Sequence, residues 1–210
     1  MFFPYPDPDT ASLAPNVYKG ECQGLDSDFE TFVPVLLRSA AADYSLSTRT
    51  PSDDWQRILL IRRSGDRTPG GPKVISPPTG ALLRYAGSTW LVRQSKTMHA
   101  VPGGAVVSRC NALALLTDAQ GEEKQILLCL DSEASSASPR LEQYGLYPAH
   151  SLSAVCQYNS VTALITEGTR LMINGTSWTC RGVNNLLRSV TLDSDSTHIM
   201  YFAIERSTGK

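Results

Sequence analysis

Histidine, cysteine and serine are the side chains through which a neutral chain most often does chemistry, so their spacing is the first guide to function. His99, His150 and His198 are the only histidines. No two of them stand at helical metal-ligand spacing, or beside a cysteine or carboxylate at a recognised interval. They read as surface or loop residues, and His198, alternating with Met200 and Phe202, suits a strand end better than a proton shuttle. Cys22, Cys110, Cys129, Cys156 and Cys180 are odd in number and widely spaced, which matches neither a disulfide framework nor a CxxC zinc pattern. They are expected to act as small buried apolar groups in a chain that folds in a reducing cytosol.

Other chemical motifs fail in the same way. Gly65, Gly70 and Gly71 in SGDRTPGGPK superficially suggest a phosphate-cradling loop, but the G-x-x-x-x-G-K-[ST] register is broken and no helix follows to present its N-terminus. No serine sits in a G-x-S-x-G elbow. Asn174-Gly175-Thr176 fits a glycosylation pattern by accident, because a hairpin turn already accounts for the Asn-Gly. The expectation is a protein that is not an enzyme, with no catalytic residue, no cofactor and no metal. Arg57, Arg62, Arg63, Arg67, Arg84, Arg93 and Arg109, with Trp55, Tyr85 and Trp90 among them, offer a mixed basic and aromatic face of the kind that binds single strands. Read as outward-turning strand residues, they need no partner. A formal net charge of -1 favours that simpler reading and argues against a general grip on phosphate backbones.

Such sparse chemistry shifts attention to the elements that hold it. The 210 residues, 41% of them hydrophobic, can build one large or two small cores. No run approaches the roughly 20 apolar residues of a membrane span, and the opening residues lack the form of a signal peptide. Helical periodicity is scarce, its best stretch at 31–42 being cut by Pro34. Short apolar or alternating runs are plentiful, at 57–63, 81–86, 90–93, 112–116, 125–130, 154–158, 169–173, 177–181 and 197–205. The fold expected is mainly β: two small related β-barrel or sandwich units in tandem. The proline-rich first 55 residues are expected to form an extended N-terminal arm, docking through Phe29, Phe32, Val33, Val35, Leu36 and Leu37. The Ser-rich run 132–139 is taken as the linker between a first barrel at 56–131 and a second at 140–210.

A repeat is the strongest internal signal. GALLRYAGSTWLVR laid over GTRLMINGTSWTCR, at an offset of 88, matches Gly80 with Gly168, Leu83 with Leu171, Gly87 with Gly175, Trp90 with Trp178 and Arg93 with Arg181. Unrelated segments of this length would share about one residue. Asn174-Gly175 is a favoured two-residue hairpin turn, and Gly87 brings the same freedom to the first copy. Each tryptophan is expected to lie on the inner face of its hairpin, with Val92 or Cys180 beside it and a polar partner for its indole N–H. A second hairpin is expected after each copy.

The runs GALLRYAGSTWLVRQSKT and VVSRCNALALLTDAQGEEKQ resemble the central part of neck proteins of siphophages and prophages. ITEGTRLMINGTSWTCRGVNN with VTLDSDS is similar to the Gly-x-Arg strand, turn and aromatic pattern of head-tail joining proteins. Together they cover about half of the chain. The resemblance implies a virion protein, made in the host cytoplasm. Its partners would be copies of itself in a cyclic ring, portal or adaptor proteins above and tail proteins below, with packaged DNA only in passing contact and no membrane. Helical bundles dominate adaptor rings, so a head closure (stopper) ring suits this β-rich chain better. The long arm and duplicated barrel are not features of a minimal stopper, which keeps a tail terminator, collar or decoration role open. A nucleic-acid-binding module of OB-like barrels is the competing class, and it would show steeply salt-dependent affinity.

Overall fold

The computed structural model describes residues 17–26, 29–39, 55–63, 75–98, 101–131, 151–183 and 198–207. Twelve strands lie among them: β1 (Val17–Cys22), β2 (Val33–Ser39), β3 (Trp55–Arg63), β4 (Leu82–Tyr85), β5 (Ser88–Met98), β6 (Val101–Arg109), β7 (Ala112–Thr117), β8 (Glu123–Asp131), β9 (Ser151–Gln157), β10 (Arg170–Ile173), β11 (Thr176–Val183) and β12 (Ile199–Arg206). Among the described residues, no helix is long and apolar enough to cross a membrane. The chain divides into two units, Met1–Arg109 and Cys110–Lys210.

In the second unit the strands neighbour one another in the order β7-β8-β9-β12-β11-β10, and β10 pairs back onto β7, closing a six-stranded antiparallel barrel. Strict alternation drives the closure. On β7, Ala112, Ala114 and Leu116 point inward while Leu113, Leu115 and Thr117 point outward, and β10 repeats the rule with Leu171 and Ile173 inside. These side chains join Ile126, Leu128, Phe202 and Ile204 in one core.

Side-chain hydrogen bonds shape the connections of this barrel. Asp118 Oδ1 accepts from the backbone N–H groups of Gln120 and Glu122, which tightens the β7–β8 turn. Between β9 and β10, Asn159 Oδ1 accepts from the N–H groups of Val161 and Thr162, while the Thr162 hydroxyl donates to the Gln157 carbonyl. A 3-10 turn at Thr162–Leu164 follows and delivers Ile165 into the core.

The first unit repeats the neighbour order strand for strand, as β1-β2-β3-β6-β5-β4, with β4 pairing back onto β1 at Gly20–Tyr85, Glu21–Arg84 and Cys22–Leu83. Gly20 is dictated by close approach, since a Cβ there would stand 2.5 Å from the Arg84 carbonyl oxygen. Pro34 is tolerated within β2 because it pairs with Glu21 of β1 but lies outside the β2–β3 register, which begins at Val35–Arg63.

Two sequence expectations are corrected. Residues 17–22 and 33–39 do not belong to an extended arm. They are the first two strands of the first sheet, and Val35 and Leu37 lie in its core. Val33 is half-buried in β2, Leu36 is buried, Phe29 packs against the same core, and Phe32 lies beneath Arg84. Val35, Leu37 and Phe29 bury their apolar surface in or against the core of their own unit, so they do not supply a docking arm. The boundary also moves. The hairpin β7–β8 opens the second unit instead of completing the first, because β8 pairs with β9 and β7 with β10. The run 132–139 is thus part of a connection inside the second unit and lies outside the described residues.

Candidate functional site

The repeated hairpins are structurally equivalent down to single hydrogen bonds. Gly80 and Gly168 have φ of 88° and 87°, Ala86 and Asn174 of 49° and 50°, and Gly87 and Gly175 of 71° and 74°. Positive φ at both central residues gives the tight turn whose twist suits a hairpin. Backbone bonds from Gly80 N–H to Val92 O, Ala81 N–H to Pro78 O and Val92 N–H to Ala81 O recur as Gly168 to Cys180, Thr169 to Thr166 and Cys180 to Thr169. Leu83 pairs with Trp90 as Leu171 does with Trp178, and both leucines are fully buried.

The tryptophans differ in burial. Trp90 is 4% exposed and stacks on Tyr85 with ring centroids 5.2 Å apart, whereas Trp178 is only half-buried against its core. Trp90 Nε1 has no hydrogen-bond partner among the described residues, against the expectation of a polar one. Burial pushes the Tyr85 phenol well above its ordinary range, with Tyr18 adding to the effect. These hairpins are scaffold, since their repeated leucines, Trp90 and its stacking partner Tyr85 are committed to the cores.

A candidate surface lies on the outward faces of the paired strands β1 and β4 in the first unit and β7 and β10 in the second. In the first, Lys19 and Glu21 of β1 and Arg84 of β4 are exposed. Arg84 Nη1 is 3.6 Å from Glu21 Oε2, and its guanidinium carbon is 3.7 Å from the centre of the Phe32 ring. The matching face of the second unit has Leu113 and Leu115 on β7 and Met172 on β10, with Leu127 of β8 opposite Leu113. Leu113 and Met172 are 40% and 42% exposed. Apart from Arg170, which flanks Met172 on the same face of β10, the strip is apolar, so its available chemistry is apolar association, worth about 0.5–1 kcal/mol when a partner covers the remaining two fifths of Leu113.

Other residues singled out in the sequence scatter. His198 is half-buried at the start of β12, where its carbonyl accepts from the Tyr158 N–H, while His99, His150, Gly65, Gly70, Gly71 and Arg67 lie outside the described residues. Four residues of the mixed basic and aromatic face are committed elsewhere: Tyr85 and Trp90 face inward, Arg84 is engaged by Glu21 and Phe32, and Arg93 donates to the Ser108 hydroxyl. Arg109 is exposed at the end of β6, and Trp55, Arg57, Arg62 and Arg63 lie along β3. Among the described residues, no cluster of three or more His, Cys, Asp or Glu stands ready to hold a metal ion.

The cysteines are reduced, and Cys22, Cys129, Cys156 and Cys180 are buried. Burial pushes the thiols of Cys22 and Cys156 up to about 12, and raises that of Cys180.

Sequence reasoning missed two features. The outward strip was signalled by ALALLT, which is apolar on both faces of a strand whose inward positions are mostly alanine. The proximity of Cys110 and Cys129, whose sulfurs are 3.8 Å apart, follows from hairpin register, which a spacing of 19 does not suggest. Comparison with protein-family models, with curated proteins and with solved structures found no significant match.

Proposed function

We propose that this chain is a structural virion protein of a tailed phage: a head closure or neck ring subunit, built from two related six-stranded barrels, that sits below the portal or adaptor, seals the DNA exit channel and docks the tail. The observation that carries the reading is the outward strip of Leu113, Leu115, Leu127 and Met172 on one unit, where its counterpart bears Lys19, Glu21 and Arg84. A cyclic ring joins its subunits head to tail and needs two unlike faces on each of them. Tandem units with the same strand order and opposite outer chemistry supply such faces. The neck-protein resemblance of the two hairpin regions names the kind of ring. Phe29, Val35 and Leu37 have no part in the docking surface, because they are core contacts of the first unit.

The test is imaging of particles assembled with a Leu113→Lys, Met172→Lys double variant. The expected outcome is a folded, soluble protein that no longer occupies an axial ring, with particles that leak DNA. Normal occupancy and DNA retention would overturn the proposal. Tight DNA binding by the wild-type protein, with affinity falling steeply as salt rises, would favour a nucleic-acid-binding module instead.

A further inference from the structure

Cys110 and Cys129 are both reduced, with sulfurs 3.8 Å apart. A disulfide brings its sulfurs to about 2.05 Å, so the pair must close by roughly 2 Å. That movement is within reach of a side-chain rotation at the half-buried Cys110. The placement is built by its neighbour. The Asn111 backbone N–H donates to the Leu128 carbonyl at 3.0 Å, Asn111 Nδ2 donates to the Leu130 carbonyl at 2.9 Å, and the Leu130 N–H donates to Asn111 Oδ1 at 2.7 Å. These bonds bracket Cys129 from both sides and hold Cys110 next to it. Cys129 is 2% exposed yet lies apart from the barrel's core cluster, as its position beside the inward Leu128 requires.

We propose that Cys110 and Cys129 form a two-cysteine redox site that reacts with oxidised low-molecular-weight thiols, such as oxidised glutathione, and closes to an intramolecular disulfide. Cys110 is the attacking residue because it is the more accessible of the two. Its thiol loses a proton, and the thiolate attacks one sulfur of oxidised glutathione. That S–S bond breaks, a mixed disulfide forms on Cys110, and the departing glutathione thiolate takes up a proton. Cys129, deprotonated in turn, attacks the Cys110 sulfur and expels the second glutathione as its thiol. Two electrons pass from the cysteine pair to the glutathione disulfide, and two glutathione molecules leave. The new bond closes the open end of the β7–β8 hairpin, opposite the Asp118 turn. The remaining cysteines are less accessible than Cys110, because Cys22, Cys156 and Cys180 are core residues.

The experiment equilibrates the full-length reduced protein anaerobically with a graded ratio of oxidised to reduced glutathione, then counts thiols after acid quenching and unfolding. The expected result is a fall from five thiols to three, reversed by dithiothreitol, with a peptide map that joins Cys110 to Cys129. Cys129→Ser should stop at a glutathione adduct on Cys110, and Cys110→Ser should lose no thiol. The second variant changes a half-buried position and keeps the test sound if the first fails to fold. Five thiols at every ratio would overturn the proposal, as would a bond to any other cysteine, a disulfide-linked dimer, or a glutathione adduct that persists in the wild-type protein.

Discussion

The hairpins β4–β5 and β10–β11 can be superposed residue by residue in register, turn dihedrals and flanking hydrogen bonds, yet the surfaces outside them share almost nothing. Where β1 meets β4 in the first unit, Glu21 stands opposite Arg84, and where β7 meets β10 in the second, Leu115 stands opposite Met172. Positions that set the backbone path are held in common: the positive-φ turn and the inward leucines. Outward positions leave the path unchanged, because a pleated strand separates its two faces completely. One fold has therefore been given two surfaces, and substitutions can test which differences carry consequences.

The largest expected effect separates the tryptophans. Trp90→Ala should cost about 3–5 kcal/mol, since it empties a fully buried site and unstacks Tyr85. Trp178→Ala should cost less, roughly half to two thirds of that, because its ring is only partly buried against its core. Urea unfolding of both variants measures the difference, and equal losses would show that burial is not what distinguishes the two copies.

Next comes the close approach at Gly20. Gly20→Ala should destabilise the first unit by about 1–3 kcal/mol, because the new methyl group meets the Arg84 carbonyl oxygen. At the corresponding place in the second unit, opposite Ile173, stands Ala114. Ala114→Gly should cost only about 0.5–1 kcal/mol, through lost packing and greater chain freedom. A smaller loss for Gly20→Ala than for Ala114→Gly would reverse the account of why the strands differ.

Alkaline pH should weaken both units by the same mechanism. The ordinary thiol value is 9.0, and burial raises Cys22 in the first unit and Cys156 in the second to about 12. Between those limits the unfolded chain has released thiol protons that the folded chain retains, so this contribution is complete below about pH 9 and declines as pH rises toward 12. The slope is at most about 1.4 kcal/mol per pH unit for each thiol. Cys22→Ala should flatten the alkaline limb for the first unit alone, and Cys156→Ala for the second alone, as thermal unfolding from pH 8 to pH 11 would report.

The smallest effect is an exchange between the copies. Ala86 takes a φ of 49° that Asn174 adopts at the same turn position. Ala86→Asn should stabilise the first unit by about 0.5–1 kcal/mol, since asparagine tolerates this region better than alanine. Asn174→Ala should cost a similar amount, and a Tm shift of one sign for both would deny the equivalence of the turns.

How much of this was legible in the sequence depended on whether a strand showed its alternation. The hairpins did, with Leu83 and Leu171 between glycines and the tryptophans beyond the turns, and the turn dihedrals and leucine–tryptophan pairs recur between the copies. Strands β1, β2 and β6 did not. Gly20 interrupts the first, Pro34 stands near the start of the second, and Pro102, Gly103 and Gly104 open the third. Each of these residues argues locally against a strand, and at Gly20 and Pro34 the reason lies in a neighbouring chain segment, which only the fold brings near. Missing β1 and β2 turned the start of a unit into an arm, and β7–β8 was then borrowed to complete the first unit. The candidate strip was hidden for another reason: ALALLT marks a strand at once, but apolar residues on both faces do not say which face is left outside.

Closure of the second barrel has a consequence for how partners must approach it. Because β10 pairs back onto β7, no strand of this described ring is an edge along its whole length, so another chain could add by backbone hydrogen bonds only along short stretches. Any recognition by this barrel would fall mainly to side chains and loops, where one substitution can change a partner's affinity without disturbing a single ladder bond. Strand addition reads little of a partner's sequence, but a side-chain surface reads it closely, so a closed barrel favours selective association over indiscriminate sheet growth.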